Sequence, residues 1–241
     1  MEYGLQLYSI RDVGGKSFEE SLKVAAELGY DAVETAGFGG CSAQEVKELL
    51  DKYGLKLWST HSGYPELMEN YNETIAFHKA IGNKNYIIPG YMMTCQADID
   101  AFVENVNILC DKMAAEGITL GYHNHHWEFI PNADGTVVYE QLLCRTKLKF
   151  EIDTYWAFVG MKNPVLLLER VKDRLFFIHI KDGSPDGNGT PLGKGEAPVA
   201  DVYNWAKAHN IPMVVESETC TPDGPTEAKI CIDYLHSLEK E

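Results

Sequence analysis

Residues 120–129 read LGYHNHHWEF, which places His123, Asn124, His125 and His126 in consecutive positions with Trp127 and Glu128 directly behind them. Imidazoles ligate metals and move protons near neutral pH, and a carboxylate close by can take either part. One histidine alone would be read as a packed or rim residue, so matching groups elsewhere decide the question. Three further segments end in the same way. KFEID finishes with Glu151 and Asp153, LFFIHIK with His179 and Lys181, and PMVVESE with Glu216 and Glu218. Residues two apart on a strand share a face, so each segment offers two polar groups in one direction, as His123 and His125 do. Any one pair also has a structural reading: Glu151 with Lys181 would make a buried ion pair. Gathered in one volume, however, these carboxylates need a neutralising cation. Carboxylates with one or two imidazoles suit one divalent ion such as Mn²⁺, Mg²⁺, Co²⁺ or Zn²⁺, and the lack of cysteine ligands disfavours a structural zinc site.

The elements that must position these groups alternate along the whole chain. Strand patterns fall at 3–9, 31–35, 56–60, 85–89, 118–123, 149–153, 175–180 and 212–217. Between them, SFEESLKVAAELG and SAQEVKELLDKYG each open on a Ser–x–x–Glu capping signal and close on glycine. Further helices fit 66–81, 97–115, 136–143, 163–172, 198–208 and 225–238. Eight strand–helix units without a linker predict an α/β fold, a single-domain (β/α)8 TIM barrel over residues 1–241. A doubly wound open sheet is the runner-up, but QLYSIRDVGG stands where its glycine-rich phosphate turn would be. In a barrel the chemistry gathers where strands end and the following loops begin, which is where the polar pairs lie.

A formal charge of −15, with no Lys/Arg block, argues against nucleic acid and anionic membranes as partners and favours a small molecule. Cys41, Cys95, Cys110, Cys144, Cys220 and Cys231 are scattered without a CxxC pair, as expected of reduced thiols. The opening MEYGLQLYSI has no basic region leading into a long apolar run, so a cytoplasmic enzyme is the expectation.

Six stretches together resemble a known family: QLYSIRD, GYHNHHWEF, FEIDTYW, FIHIKDG, LGKGE and VVESE. The chain is similar, over essentially its whole length, to the sugar phosphate isomerase/epimerase group of xylose-isomerase-like TIM barrels, whose relatives include D-tagatose 3-epimerase, inosose dehydratase and apurinic endonuclease barrels. The resemblance implies one divalent metal held from strands five to eight, with Asp153, His179 and Glu216 matching three ligands. The epimerases carry a glutamate on strand five, in a stretch like LE-x-x-N, where this chain has YHNH. His123 takes that position in an ungapped alignment, and Glu128 is the alternative source of the carboxylate.

The chemistry so implied is proton abstraction beside a carbonyl of a sugar or keto-sugar, giving isomerisation or epimerisation through an enediolate. Glu216 is the expected base, Lys181 the stabiliser of developing charge, and Glu128 or His125 the group returning the proton. Gln6, Tyr8, His61, Trp127, Trp156 and Lys194 are the expected substrate contacts, Gln6 and Tyr8 by sharing a face of strand one. The glycine- and proline-rich segment 182–198, carrying Lys194 and Glu196, is expected to be a mobile cover for the mouth. A metal-dependent dehydratase of an inosose or keto-glycoside is the alternative, and a sugar-binding barrel without turnover a third reading. The expected partner is a neutral sugar or polyol, and a homodimer is the expected assembly.

Overall fold

The computed structural model describes residues 1–14 and 17–240. Eight parallel strands close into a barrel: β1 (Tyr3–Gln6), β2 (Ala32–Ala36), β3 (Lys56–His61), β4 (Asn85–Ile88), β5 (Thr119–His123), β6 (Lys149–Asp153), β7 (Leu175–Ile180) and β8 (Met213–Val215). Each pairs with its sequence neighbours, and β8 pairs with β1 in the register Tyr3↔Met213 to Leu5↔Val215. Closure removes the two free edges that a doubly wound sheet would keep, so the runner-up topology is excluded.

Alternation along the strands sorts the side chains. Leu5, Val33, Ile88, Tyr122, Phe150, Ile152, Ile178, Ile180 and Val215 point outward into the main hydrophobic core beneath the helices. Inside the barrel, Ile87, Phe177 and Val214 form a separate small cluster with Trp58 and Phe176. Gly121 makes room for it, since a Cβ there would lie 2.4 Å from the Phe176 ring. This apolar plug fills the interior below the polar strand ends, which leaves the carboxylates and imidazoles only the upper half of the barrel.

The helices form where the capping signals place them. Ser17 accepts from Glu20 N to start Phe18–Leu28, and Ser42 with Glu45 completes a reciprocal capping box for Ala43–Tyr53. The expected helix 66–81 divides into Tyr64–Glu69 and Tyr71–Ala80. An additional short helix, Thr154–Val159, follows β6 and is capped by Asp153. Among the described residues no helix is long and apolar enough to cross a membrane. All six cysteines are free.

Three expectations need correction. β1 ends at Gln6 and passes into a 3-10 turn, Leu7–Ile10, so Gln6 and Tyr8 do not share a strand face. β8 ends at Val215, which leaves Glu216 and Glu218 on the segment that follows it. The segment 182–198 is not a loose cover: Asp182, itself buried, accepts backbone N–H bonds from Gly183 (2.8 Å), Gly193 (2.9 Å), Gly195 (2.9 Å) and Ala197 (3.1 Å). A short antiparallel hairpin, Asp182–Gly183 with Gly189–Thr190, completes the fold-back. Gly195 must be glycine for this approach, because a Cβ would meet Asp182 Oδ1 at 2.3 Å.

Asp182→Ala leaves these amides without their acceptor. The expected cost is about 1–3 kcal/mol in urea unfolding, with faster protease cleavage within 184–197. Unchanged cleavage would show that the segment holds its shape without Asp182.

Candidate metal and active site at the barrel mouth

Four buried side chains from four successive strand ends converge: His123 from β5, Asp153 from β6, His179 from β7 and Glu216 just beyond β8. One ligand atom from each lies within 4.8 Å of the others. His179 Nδ1 is 3.2 Å from Glu216 Oε2. Asp153 divides its oxygens, with Oδ1 accepting from Trp156 N at 2.7 Å to cap the helix and buried Oδ2 having no partner. His123 Nδ1, also buried, makes only a long approach of 3.4 Å to Glu151 Oε2. Orphaned buried acceptors are rare, and an unpartnered carboxylate oxygen beside a weakly held imidazole nitrogen fits a divalent cation. Asn124, between the histidines, ties two ligand-bearing strands together: its Nδ2 donates to Asp153 O at 3.1 Å and its Oδ1 accepts from Asp153 N at 3.2 Å.

The electrostatics suit the same reading. Burial, reinforced by His179, pushes His123 down to about 4, so it is a neutral ligand at neutral pH. Burial pushes Asp153 up to about 7, with Glu216 adding to the rise and Lys181 opposing it. Burial also disfavours charge on Glu216, but Lys181 and His179 outweigh it and hold that carboxyl well below the usual range.

Beneath this set lies a second polar layer. Glu34 Oε1 accepts from Gln6 Nε2 at 2.6 Å and sits 2.7 Å from His179 Nε2 and 3.1 Å from His61 Nε2. Glu34 Oε2 accepts from Ser59 Oγ at 2.6 Å. Glu151 Oε2 is 2.8 Å from His61 Nε2 and 3.1 Å from His179 Nε2. His61, His123, Glu151 and His179 form a second group with metal-ligand spacing.

Above the set opens a cavity of about 440 Å³ lined by Tyr8, Ala36, His61, Pro89, His123, His125, Glu216 and Glu218. His125 stacks on Trp127 with centroids 4.1 Å apart, and burial pushes it down to about 2. Lys181 is buried, with Nζ 2.5 Å from Glu218 Oε2, 3.7 Å from Glu216 Oε2 and 4.6 Å from the centre of the Trp156 ring. Burial opposes its charge, yet Glu216, Asp153 and Glu218 hold the ammonium above its usual range. Arg11 stacks on Tyr8 and donates to Tyr8 O (3.0 Å) and Glu218 O (2.5 Å), joining the loops after β1 and β8.

The structure thus brings together His123, Asp153, His179, Glu216, Lys181, His125, His61 and Tyr8, with Trp127 and Trp156 packed against His125 and Lys181. Three expected residues lie elsewhere. Glu128 is buried under the loop, accepting from Tyr122 Oη and from His125 N, both at 2.9 Å, and so staples the loop in place of supplying a ligand. Gln6 turns into the lower layer, and Lys194 is exposed. Glu151 pairs with histidines and not with Lys181. Glu34 and Glu218 were missed as site residues; Glu218 carried the period-two signal, whereas Glu34 in DAVET had none beyond a charged residue inside an apolar strand.

Comparison with known proteins bears on the family and the fold. Residues 22–238 match the family described as xylose isomerase-like TIM barrel. No curated protein matches the chain. Among solved structures, a sugar phosphate isomerase/epimerase from Parabacteroides distasonis ATCC 8503 superposes with a TM-score of 0.84 at 27% identity, covering 97% of this chain and 96% of that one. A second from the same organism gives 0.82 at 24%, covering 97% and 92%. A probable 3-DHS dehydratase from Bacillus anthracis shares the fold at 0.73 and 15% identity, covering 96% and 99%.

Protein purified without chelator is expected to bind one equivalent of divalent metal per chain, and Asp153→Ala to lose it while keeping the circular dichroism of the wild type. In the metal-free site Asp153 keeps its proton up to about 7, and against the effect of burial Glu151, Glu34 and Glu216 hold the His179 imidazolium well above its usual range, so protons compete with metal on both sides of neutrality. Metal affinity should therefore fall by at least about tenfold per pH unit on acidification below neutrality, as read by chelator competition. A flat profile from pH 5 to 8 would place the ligand set elsewhere.

Proposed function

The chain belongs to the xylose isomerase-like TIM barrel family, and from that premise we propose that it is a divalent-metal-dependent isomerase or epimerase of a sugar or keto-sugar. The observation that carries the reading is the cavity of about 440 Å³ lined by His123 and Glu216, with the partnerless Asp153 Oδ2 and the weakly held His123 Nδ1 in the same candidate ligand set. His123, Asp153, His179 and Glu216 would hold the ion. When bound, it supplies a Lewis acid for the substrate's carbonyl and neighbouring hydroxyl oxygens.

The side chains supply the remainder. Glu216 is kept ionised by Lys181 and faces the cavity, as a base must. It takes the proton from the carbon beside the carbonyl, and the electron pair moves onto oxygen. Lys181 Nζ, fixed by Glu218 and the Trp156 ring, donates a hydrogen bond to that oxygen as its charge develops. Reprotonation at the neighbouring carbon gives the isomer, and at the opposite face of the same carbon the epimer. His61, whose protonated form is favoured against burial by Glu34 and Glu151, lines the same cavity and is the candidate for this delivery, whereas His125, pushed down to about 2 by burial, carries no proton to give.

A second reading has its own support. Among the described residues, the carboxylates lining the cavity are Glu216 and Glu218, both following β8, and no carboxylate faces them from β5. A base on one side suits abstraction followed by loss of a neighbouring group from the same enediolate, which is dehydration. The Bacillus anthracis neighbour is described as a dehydratase.

Incubation with ketohexoses and keto-glycosides in D₂O with added Mn²⁺ separates these readings. An isomeric sugar carrying solvent deuterium supports the isomerase. An unsaturated product short of one water supports the dehydratase, and tight binding with neither outcome supports a sugar-binding barrel. Lys181→Met, which keeps the stem and removes the cation, is expected to lower kcat by about 10²–10³ while metal stoichiometry is unchanged. Undiminished turnover would remove Lys181 from the mechanism.

A further inference from the structure

His179 is the residue common to both polar layers. Its Nδ1 faces Glu216 at 3.2 Å and its Nε2 faces Glu34 Oε1 at 2.7 Å. A histidine that ligates a metal through one nitrogen carries its proton on the other, and the partner of that proton fixes both tautomer and ring orientation.

We infer that Glu34 is the positioning residue for His179, accepting its Nε2–H so that the Nδ1 lone pair is presented to the site formed with His123, Asp153 and Glu216. The inference rests on the metal-dependent reading above. Glu34 is suited to the role because its own hydrogen bonds leave it one orientation. Gln6 Oε1 is taken by the backbone N–H of Tyr8 at 3.1 Å, so the Gln6 amide group must turn its Nε2 to Glu34 Oε1. Ser59 Oγ holds the other carboxylate oxygen. All of these atoms belong to buried side chains, apart from the Tyr8 amide.

Glu151 is the competing candidate, and the distances separate the two. Its Oε2 lies nearer His61 Nε2 (2.8 Å) than His179 Nε2 (3.1 Å), and its Oε1 has no hydrogen-bond partner. Two pairs result, Glu34 with His179 and Glu151 with His61. A further consequence is a continuous connection from the Tyr8 amide, beside the cavity, through Gln6 and Glu34 to a metal ligand.

The test compares metal affinity, by chelator competition with Zn²⁺, in the full-length wild type, Glu34→Gln and Glu34→Asp. It is read together with the ¹⁵N resonances of the His179 ring in the zinc-loaded protein. Glu34→Asp keeps the negative charge and withdraws the carboxylate by one methylene, which separates a charge effect from a hydrogen bond and serves if the Gln variant does not fold. The expected result is a loss of affinity of about 10–100-fold in either variant, with stoichiometry still one and the His179 Nε2 resonance shifted. Unchanged affinity and resonances in a folded variant would overturn the inference and leave the proposed function standing. Two ions in the wild type and one in the variant would also overturn it, since Glu34 would then be a ligand itself. A wild type that binds no metal overturns both.

Discussion

Four carboxylates, Glu34, Glu151, Asp153 and Glu216, lie inside the barrel with almost no exposed surface, and the upper half of the molecule is arranged around that fact. An unpaired buried carboxylate would lose several kcal/mol of hydration or take up a proton. The chain meets the constraint by stacking two layers on either side of one imidazole. In the lower layer Glu34 is fully held, because Gln6, Ser59 and the Nε2 atoms of His61 and His179 surround it, whereas Glu151 Oε1 has no hydrogen-bond partner. The upper layer leaves Asp153 Oδ2 without a partner and His123 Nδ1 with only a long approach to Glu151.

Much of this was legible in the chain because the barrel imposes two simple rules, period two along strands and chemistry at strand ends. Those rules led from Asp153, His179 and Glu216 to a common volume and from the repeated strand–helix pattern to closure. They failed where local geometry departs from a strand. Gln6 and Tyr8 separate because the chain enters a 3-10 turn at Leu7. Glu128 is withdrawn because the turn Trp127–Phe129 points its carboxylate back at Tyr122 and His125. The segment after β7 was misread because glycines that look like flexibility are the requirement for close approach to Asp182. Glu34 was invisible for a different reason: its importance depends on Gln6, Ser59 and His179, which come from distant parts of the chain.

The departure at β5 carries the functional argument. The epimerase pattern that the sequence resembles implies a glutamate on β5, where this chain presents His123, and Glu128 is turned away to Tyr122 and His125. In the proposed site, two imidazoles and two carboxylates carry less negative charge than a set with three carboxylates, which would leave a bound ion a stronger Lewis acid. Acid–base capacity is correspondingly concentrated on the β8 side, where Glu216, Glu218 and Lys181 are coupled. The surrounding architecture can be shared while the balance between returning a proton and expelling a neighbour shifts.

Asp153 uses one oxygen to start the helix Thr154–Val159 and holds the other toward the ligand set. These two demands constrain substitution in different ways. Asparagine could still cap the helix but would bring a neutral amide to the cation. Glutamate would keep the charge, yet its longer arm is poorly matched to capping the helix that begins at the next residue. Position 153 therefore has very little room to drift, since each near neighbour in chemistry satisfies one demand by failing the other. The same helix carries Trp156 over Lys181, so the proposed metal ligand and the ring packed on Lys181 are held in step by the single hydrogen bond from the Trp156 N–H to Asp153 Oδ1.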